Sequence, residues 1–203
     1  MIEAIVLDVG GVILRTEDRS GRKMLESKYN LPPGGSEALV FMSRPAAEST
    51  IGKVPQDQIW LNIEKELNLT PAELKEFQVA FWQGDKIDSD LIRYIESQRE
   101  KYTTALLSNA WVGMREILAE QYQIIEGKTV DHILISADLG IAKPDPRIYY
   151  LLADTINCPY DRILFVDDFI ENIEAANELG IQTIHYQPGM DLINHIQMML
   201  DQY

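Results

Sequence analysis

Cysteine is almost missing from this chain. Cys158 stands alone among 203 residues, so there is no internal disulfide and no cysteine-based metal cluster. That suits a reducing cytoplasm. Positive charge is also scarce: 18 Lys and Arg face 32 Asp and Glu, for a formal net charge of −14. Such acidity argues against nucleic acid or an anionic membrane surface as a partner. No apolar run approaches the roughly 20 residues that a membrane helix requires. The amino-terminus lacks the basic, apolar and small-residue succession of a secretory signal. There is no internal repeat and no low-complexity segment, and no G-x-G-x-x-G follows the first apolar run, which leaves a dinucleotide enzyme unsupported. The expectation is a soluble cytoplasmic protein, monomer or homodimer, that acts on a small molecule. At 46% hydrophobic residues, the chain can bury one sizeable core, or a core with a small second domain.

The organising stretch runs from Ile2 to Leu14. Its first half, Ile2-Glu3-Ala4-Ile5-Val6-Leu7, is short, apolar and rich in branched residues, as expected of a strand buried on both faces of a parallel sheet. Asp8 ends it, and Gly10 and Gly11 follow. Ligands of open α/β sheets gather beyond the carboxyl ends of the strands, so Asp8 is a candidate site residue.

Beyond Leu14 the strand pattern fades. Asp18–Tyr29, Ser36–Met42, Gln56–Leu67 and Ala72–Trp82 carry apolar residues at helical spacing. Thr70 offers an N-cap before Pro71, and Leu31-Pro32-Pro33-Gly34-Gly35 reads as a loop. Residues 16–87 are therefore expected to form a small helical insert, with Trp60, Phe77, Phe81 and Trp82 in its core or against the main domain. From Ser89 onward strands and helices alternate. The helices are Leu91–Arg99, Trp111–Tyr122, Arg147–Thr155, Glu171–Leu179 and Met190–Leu200; the strands are 103–107, 132–135, 162–166 and 182–186. Alternation of this kind predicts an α/β, doubly wound parallel sheet. Its domain would comprise residues 1–15 and 88–203.

The strand ends supply Asp8, Ser108 with Asn109, and Asp167 with Asp168, while Lys143 comes from a turn before a helix. Each has an ordinary structural explanation when taken alone. On one edge of a parallel sheet they become coherent. Carboxylates facing one another repel unless a cation sits among them, and hard oxygen ligands suit Mg²⁺. A lysine and a hydroxyl beside a metal suit a phosphoryl group. An aspartate can then serve as nucleophile.

These residues are similar to the four motifs of the haloacid dehalogenase-like hydrolase superfamily. The matching segments are Leu7-Asp8-Val9-Gly10-Gly11-Val12, Leu106-Leu107-Ser108-Asn109, Lys143-Pro144 and Phe165-Val166-Asp167-Asp168. The runs Ser136–Tyr149 and Asp167–Ile181 resemble the sugar-phosphatase branch that includes α-glucose-1-phosphatase. The resemblance implies a Rossmann-like core and a small helical cap over the strand ends. It implies that Asp8 is the nucleophile and a Mg²⁺ ligand, together with the Gly10 backbone carbonyl and Asp168. Asp167 would be a supporting or alternative ligand. Ser108, Asn109 and the Gly10–Gly11 backbone would hold phosphoryl oxygens, and Lys143 would neutralise charge. The implied activity is hydrolysis of a small phosphomonoester, with an anomeric sugar phosphate such as glucose 1-phosphate favoured.

One departure matters. Most phosphatases of this superfamily carry a second aspartate two residues after the nucleophile, as general acid, and here that position is Gly10. General acid–base catalysis is worth about 10²–10⁴-fold. A leaving group that departs easily is the expected compensation. Gly10 also keeps open a degenerate member that binds a phosphometabolite or a protein partner without turnover. A 2-haloacid dehalogenase is the other alternative, and the acidic pair Asp167-Asp168 speaks against it. A receiver domain carries its acids in a different order along the chain. His132 and His185 are expected to be structural, His195 to lie on the surface of the last helix, and Arg115 to be a surface or capping charge. Asn172 could support the metal, and Arg19, Lys23, Arg44 and Lys53 are cap residues within reach of a substrate.

Overall fold

A computed structural model gives the structure of residues 1–201. The chain starts with β1 (Ala4–Leu7), every residue of which is buried. A turn at Gly10 and Gly11 leads to β2 (Leu14–Thr16). Five helices follow: α1 (Ser20–Lys28), α2 (Gly35–Phe41), α3 (Arg44–Thr50), α4 (Asp57–Leu67) and α5 (Pro71–Trp82). β3 (Asp85–Ile87) then returns antiparallel to β2. Next come α6 (Ser89–Gln98), β4 (Thr103–Ser108), α7 (Met114–Tyr122), β5 (His132–Ile135) and the single turn α8 (Ser136–Leu139). The chain finishes with α9 (Pro146–Ile156), β6 (Ile163–Asp167), α10 (Ile170–Glu178), β7 (Gln182–His185) and α11 (Leu192–Asp201).

The five long strands form one parallel sheet in the order β5-β4-β1-β6-β7. The expected α/β architecture is therefore present, and β1 lies at its centre. Register fixes the site: Leu7 pairs with Leu106 on one side and with Val166 on the other. One step further, Asp8 follows β1, Asp167 ends β6, and Ser108 ends β4 one residue beyond Leu107, so all three reach the same edge. Successive side chains of a strand point to opposite faces, and two apolar clusters result. Ile5, Leu7, Leu106, Leu164 and Val166 pack under α6 and α11. Ala4, Val6, Ala105, Leu107 and Phe165 pack under α9 and α10, with Tyr149 and Leu152. Truncating a fully buried residue such as Phe165 to Ala would cost about 3–5 kcal/mol.

Helices α1–α5 have a cluster of their own, built from Leu25, Val40, Ile59, Trp60, Ile63, Phe77 and Phe81. Trp60, Phe77 and Phe81 are buried as expected, and Trp82 is partly buried. Arg22 is a buried cation within this group, paired with Glu37 and Asp85 at 2.8 Å each and lying over the Phe81 ring. Thr70 and Glu73 form a reciprocal cap at the start of α5.

The structure adds elements that the sequence pattern does not show. The strand pair β2–β3, helix α3 and the single turn Ser136–Leu139 are too short to show a period. Finally, α7 begins at Met114 and not at Trp111: Gly113, at φ 91°, interrupts the backbone, and Trp111 turns away into the cluster of α1–α5. There it stacks with Phe41 at 5.9 Å between centroids and meets Trp60 and Trp82 edge-on. Among the described residues, no helix is long and apolar enough to cross a membrane.

Candidate active site

Asp8 follows directly on β1, and its backbone amide is held by Val166 O at 2.8 Å. The residue is 7% exposed. Oδ1 accepts from the Val9 amide at 2.7 Å and from Lys143 Nζ at 3.0 Å. Lys143 itself is buried, and its ammonium makes three contacts: Leu107 O at 2.7 Å, Asp167 Oδ2 at 2.7 Å and Asp8. An ammonium has three protons, so Lys143 is saturated and its nitrogen is fixed in position. The Asn109 side chain accounts for the placement of its backbone. Nδ2 donates to Lys143 O and Oδ1 accepts from Lys143 N, both at 2.8 Å. Asn109, with Ser108 and the neighbouring backbone, was expected at the phosphoryl oxygens. Its side-chain amide is engaged at both ends by Lys143 and so positions the lysine.

Asp167 and Asp168 behave differently despite being neighbours. Asp167 is fully buried at the end of β6. Its Oδ1 accepts from the Phe169 amide at 2.8 Å and from Asn172 Nδ2 at 3.0 Å; its Oδ2 accepts from Lys143 and from Asn172 at 3.1 Å. Asn172 thus supports Asp167, and its own carbonyl accepts from the Tyr149 hydroxyl at 2.8 Å. Asp168, by contrast, has a buried Oδ1 with no hydrogen-bond partner. An orphaned carboxylate oxygen is costly unless a ligand satisfies it. Asp8, Asp167 and Asp168 each offer an oxygen within 4.8 Å of the others. Three carboxylates against one ammonium leave a deficit of two positive charges, the charge of one divalent cation. Hard oxygen donors with one open carboxylate fit Mg²⁺.

Without a cation this cluster favours protons. Burial pushes the Asp8 carboxyl above the usual carboxylate range; Lys143 opposes the rise, while Asp167 and Asp168 add to it. Burial, reinforced by the Asp167 charge, pushes Asp168 up to about 6. Burial also raises the Tyr149 hydroxyl, with Asp167 and Asp8 contributing.

The turn after Asp8 shapes the approach. The Ile13 and Leu14 amides donate to Val9 O at 3.0 and 2.8 Å, and the Gly11 amide to Leu14 O at 2.9 Å, bonds that leave out the Gly10 carbonyl. Gly11 has φ 76°, and a Cβ on it would lie 2.1 Å from Asp168 Oδ2. Only glycine lets that carboxylate sit where it does. A Cβ on Gly10 would meet nothing within 4 Å. Ser108 is buried at the end of β4, level with Ile135 of β5.

A search of the sequence against protein families gives a match to haloacid dehalogenase-like hydrolase over residues 2–180. The chain is a haloacid dehalogenase-like hydrolase. Among curated relatives of this hydrolase, D-ribitol-5-phosphate phosphatase of Bacteroides thetaiotaomicron is 27% identical, over 99% of this chain and 100% of that one. Bifunctional epoxide hydrolase 2 of Rattus norvegicus is 30% identical over 43% of this chain, a match that spans only 16% of the longer protein. Among solved structures, a HAD family enzyme of Bacteroides thetaiotaomicron in complex with magnesium and inorganic phosphate superposes with a TM-score of 0.76 at 19% identity. That match covers 97% of this chain and 99% of the other. The 2-haloacid dehalogenase of Pseudomonas syringae pv. Tomato DC3000 superposes at 0.62 and 15% identity, over 100% of this chain and 99% of that one. Identities this low speak for the fold of the hydrolase.

All the expected motif residues meet at this one edge of the sheet. Several other candidates go elsewhere. Arg115 binds Glu126 at 2.5 Å and Ile133 O at 2.6 Å on the surface. Arg44 pairs with Glu48 within its own helix. His195 contacts Asp191 O in α11. His185, read as structural, touches Asp168 O through Nε2 at 3.1 Å and so steadies the main chain of the acidic pair. Sequence reasoning missed Ser136, which is fully buried. Its hydroxyl lies 3.0 Å from Ala110 N, 3.2 Å from Ala110 O and 2.7 Å from Thr50 O. It therefore ties the loop after Ser108-Asn109 to the end of α3. Gly52 is pressed against the same place, since a Cβ there would lie 2.3 Å from Ala137 O. The only signal in the sequence was a serine just past a strand.

Proposed function

We propose that this hydrolase is a Mg²⁺-dependent phosphatase that cleaves a small phosphomonoester, an anomeric sugar phosphate such as glucose 1-phosphate being favoured, by way of an aspartyl-phosphate on Asp8. The observation that carries the reading is Asp168 Oδ1, buried without a partner beside a nucleophile-grade carboxylate and a saturated lysine. Asp8, Asp168 and the Gly10 carbonyl would hold Mg²⁺, which when bound neutralises the phosphoryl oxygens and keeps Asp8 ionised.

Asp8 uses Oδ2, since Oδ1 is engaged by Val9 and Lys143. That oxygen attacks phosphorus as the phosphorus–oxygen bond to the alcohol breaks. The electron pair leaves with the alcohol oxygen, which takes a proton from water. Ser108 and the nearby backbone hold the phosphoryl oxygens, and the Lys143 charge favours the added negative charge. Water then attacks the aspartyl-phosphate, releasing phosphate and restoring Asp8. No side chain at position 10 protonates the leaving oxygen. Anomeric sugar phosphates and aryl phosphates, whose oxygens leave more readily, are therefore the better substrates. Residues 16–87 act as a cap over a core of residues 1–15 and 88–203, the last two of which lie outside the described residues. The cap closes over the strand ends and excludes water. We assign the protein to the cytoplasm.

Phosphate release from a panel of phosphomonoesters, with Mg²⁺ or with chelator, tests this. Turnover that needs Mg²⁺ and vanishes in Asp8→Asn is expected. Preference for primary-alcohol esters over anomeric and aryl ones would reject the leaving-group argument. Gly10 favours one other reading, a binder without turnover; phosphate release no faster than in Asp8→Asn would establish it.

A further inference from the structure

All three tryptophans of the chain lie in one cluster, although they come from two parts of the fold. Trp60 and Trp82 belong to α4 and α5, whereas Trp111 follows β4 of the parallel sheet. Trp111 is buried, with Phe41, Trp60 and Trp82 at 5.9, 6.4 and 6.4 Å between ring centroids. The sheet domain thus lends the helices one of their largest core side chains. Two further contacts fall beside it. The Ser136 hydroxyl lies 2.7 Å from Thr50 O at the end of α3 and accepts from the Ala110 amide at 3.0 Å. Gly52, at φ 69°, approaches so closely that a Cβ would lie 2.3 Å from Ala137 O. These contacts form a seam apart from the strand pair β2–β3, through which the chain enters and leaves the helices.

On the sheet side, the seam ends in the segment that frames the candidate site. Ser108 closes β4, Asn109 clasps both backbone polar groups of Lys143 at 2.8 Å, and Ala110 is held by Ser136. Three residues of chain span at most ~11 Å, so the Trp111 indole cannot follow the helices without drawing on Asn109. The chain beyond it is slack: Val112 is exposed, and Gly113 takes φ 91° with open space around it. The load of any displacement therefore falls on the side of Ser108 and Asn109.

We infer that Trp111 is a positioning residue that couples the seating of helices α1–α5 to the phosphoryl site, a role that rests on the phosphatase reading for the function of Ser108 and Lys143. With the indole enclosed by Phe41, Trp60 and Trp82, Asn109 holds Lys143 between Asp8 and Asp167. With the helices lifted, the loop loses its anchor and the lysine its register. Such a coupling is reciprocal, so phosphate in the site must in turn seat the helices, and couplings of this kind change affinity by about 5–150-fold.

Because every tryptophan is in the seam, intrinsic emission reads the seating without a label. Mg²⁺ and inorganic phosphate are titrated into the whole chain and followed by tryptophan emission and by calorimetry. Wild-type emission is expected to shift with the same midpoint as the heat. Phe41→Ala and Gly52→Ala loosen the seam from the side of the helices and lie outside the phosphoryl site. Each should weaken phosphate binding by about fivefold or more and speed hydrogen exchange in the peptide spanning residues 108–111. Trp111→Ala should do the same, and Trp111→Phe, which keeps a ring, should recover most of the affinity. A merely structural role would lower the melting temperature and leave the affinity of the folded protein unchanged. Wild-type affinity and exchange in folded Phe41→Ala, or emission that stays flat while calorimetry shows saturation, overturns the coupling. Phosphate release no faster than in Asp8→Asn, with the emission and exchange effects intact, overturns the phosphatase reading and leaves the coupling standing.

Discussion

Gly10→Asp asks directly what the missing acid costs. Nothing lies within 4 Å of a Cβ at position 10, and the backbone there is not in the left-handed region. The new side chain therefore enters open space without strain. Replacing a compatible glycine even reduces the freedom of the unfolded chain, so stability should hold or rise by about 0.4–1 kcal/mol. The carboxyl would stand two residues after the nucleophile, at the mouth of the site. General acid catalysis is worth about 10²–10⁴-fold, or roughly 3–5 kcal/mol of barrier. That gain belongs only to substrates whose leaving oxygen needs a proton. With Mg²⁺, kcat on a primary-alcohol phosphate should rise at least ~10²-fold in Gly10→Asp, while kcat on an aryl phosphate should move little. Gly11→Ala is the contrasting control, because its Cβ would fall 2.1 Å from Asp168 Oδ2 and displace the carboxylate. Its activity should collapse on every substrate. An unchanged primary-alcohol rate in a folded Gly10→Asp protein, or an equal gain on both substrate types, refutes the reasoning.

Other consequences are more compact. Lys143→Met leaves Asp8 and Asp167 buried without their shared cation; a loss of about 3–5 kcal/mol is expected in denaturant melts, with little turnover left. Ser136→Ala removes the hydroxyl that joins Thr50 to Ala110 and should cost about 1–3 kcal/mol, lowering kcat more than it raises KM; wild-type kinetics would count against its positioning role. For pH, Asp168 is raised to about 6 in the fold, so the metal-free folded chain holds its proton more tightly than the unfolded chain does. Its contribution to stability is full below about 4 and is lost as pH rises through about 6. Thermal melts without metal should show wild type losing stability relative to Asp168→Asn across that window, and Mg²⁺ should stabilise wild type more at pH 8 than at pH 5.

Much of this site was legible because its chemistry sits where periodicity stops. Asp8, Ser108 and Asp167 each end an apolar run, and a parallel sheet brings such ends to one edge. Lys143 and Asp168 were legible through their motif context. What escaped were partnerships made by tertiary structure. Nothing in the periodicity tells Asp167 from Asp168, yet Asn172 Nδ2, the Phe169 amide and Lys143 engage both oxygens of the first and leave an oxygen of the second bare. The side-chain partnership of Asn109 and the place of Trp111 escaped for the same reason. The amide of one is claimed by a backbone 34 residues away, and the ring of the other by an aromatic cluster formed from distant helices. The Gly11 contact with Asp168 likewise spans chain ends that only the fold unites.

The central claim is that Asp8 itself receives the phosphoryl group. Acid quenching during steady turnover of an aryl phosphate, followed by borohydride reduction and peptide mass analysis, measures it: an acyl phosphate is reduced to homoserine, and a free carboxylate is not. Homoserine at position 8, dependent on substrate and Mg²⁺, is the predicted result. An unmodified Asp8 in protein that is turning over substrate would contradict it.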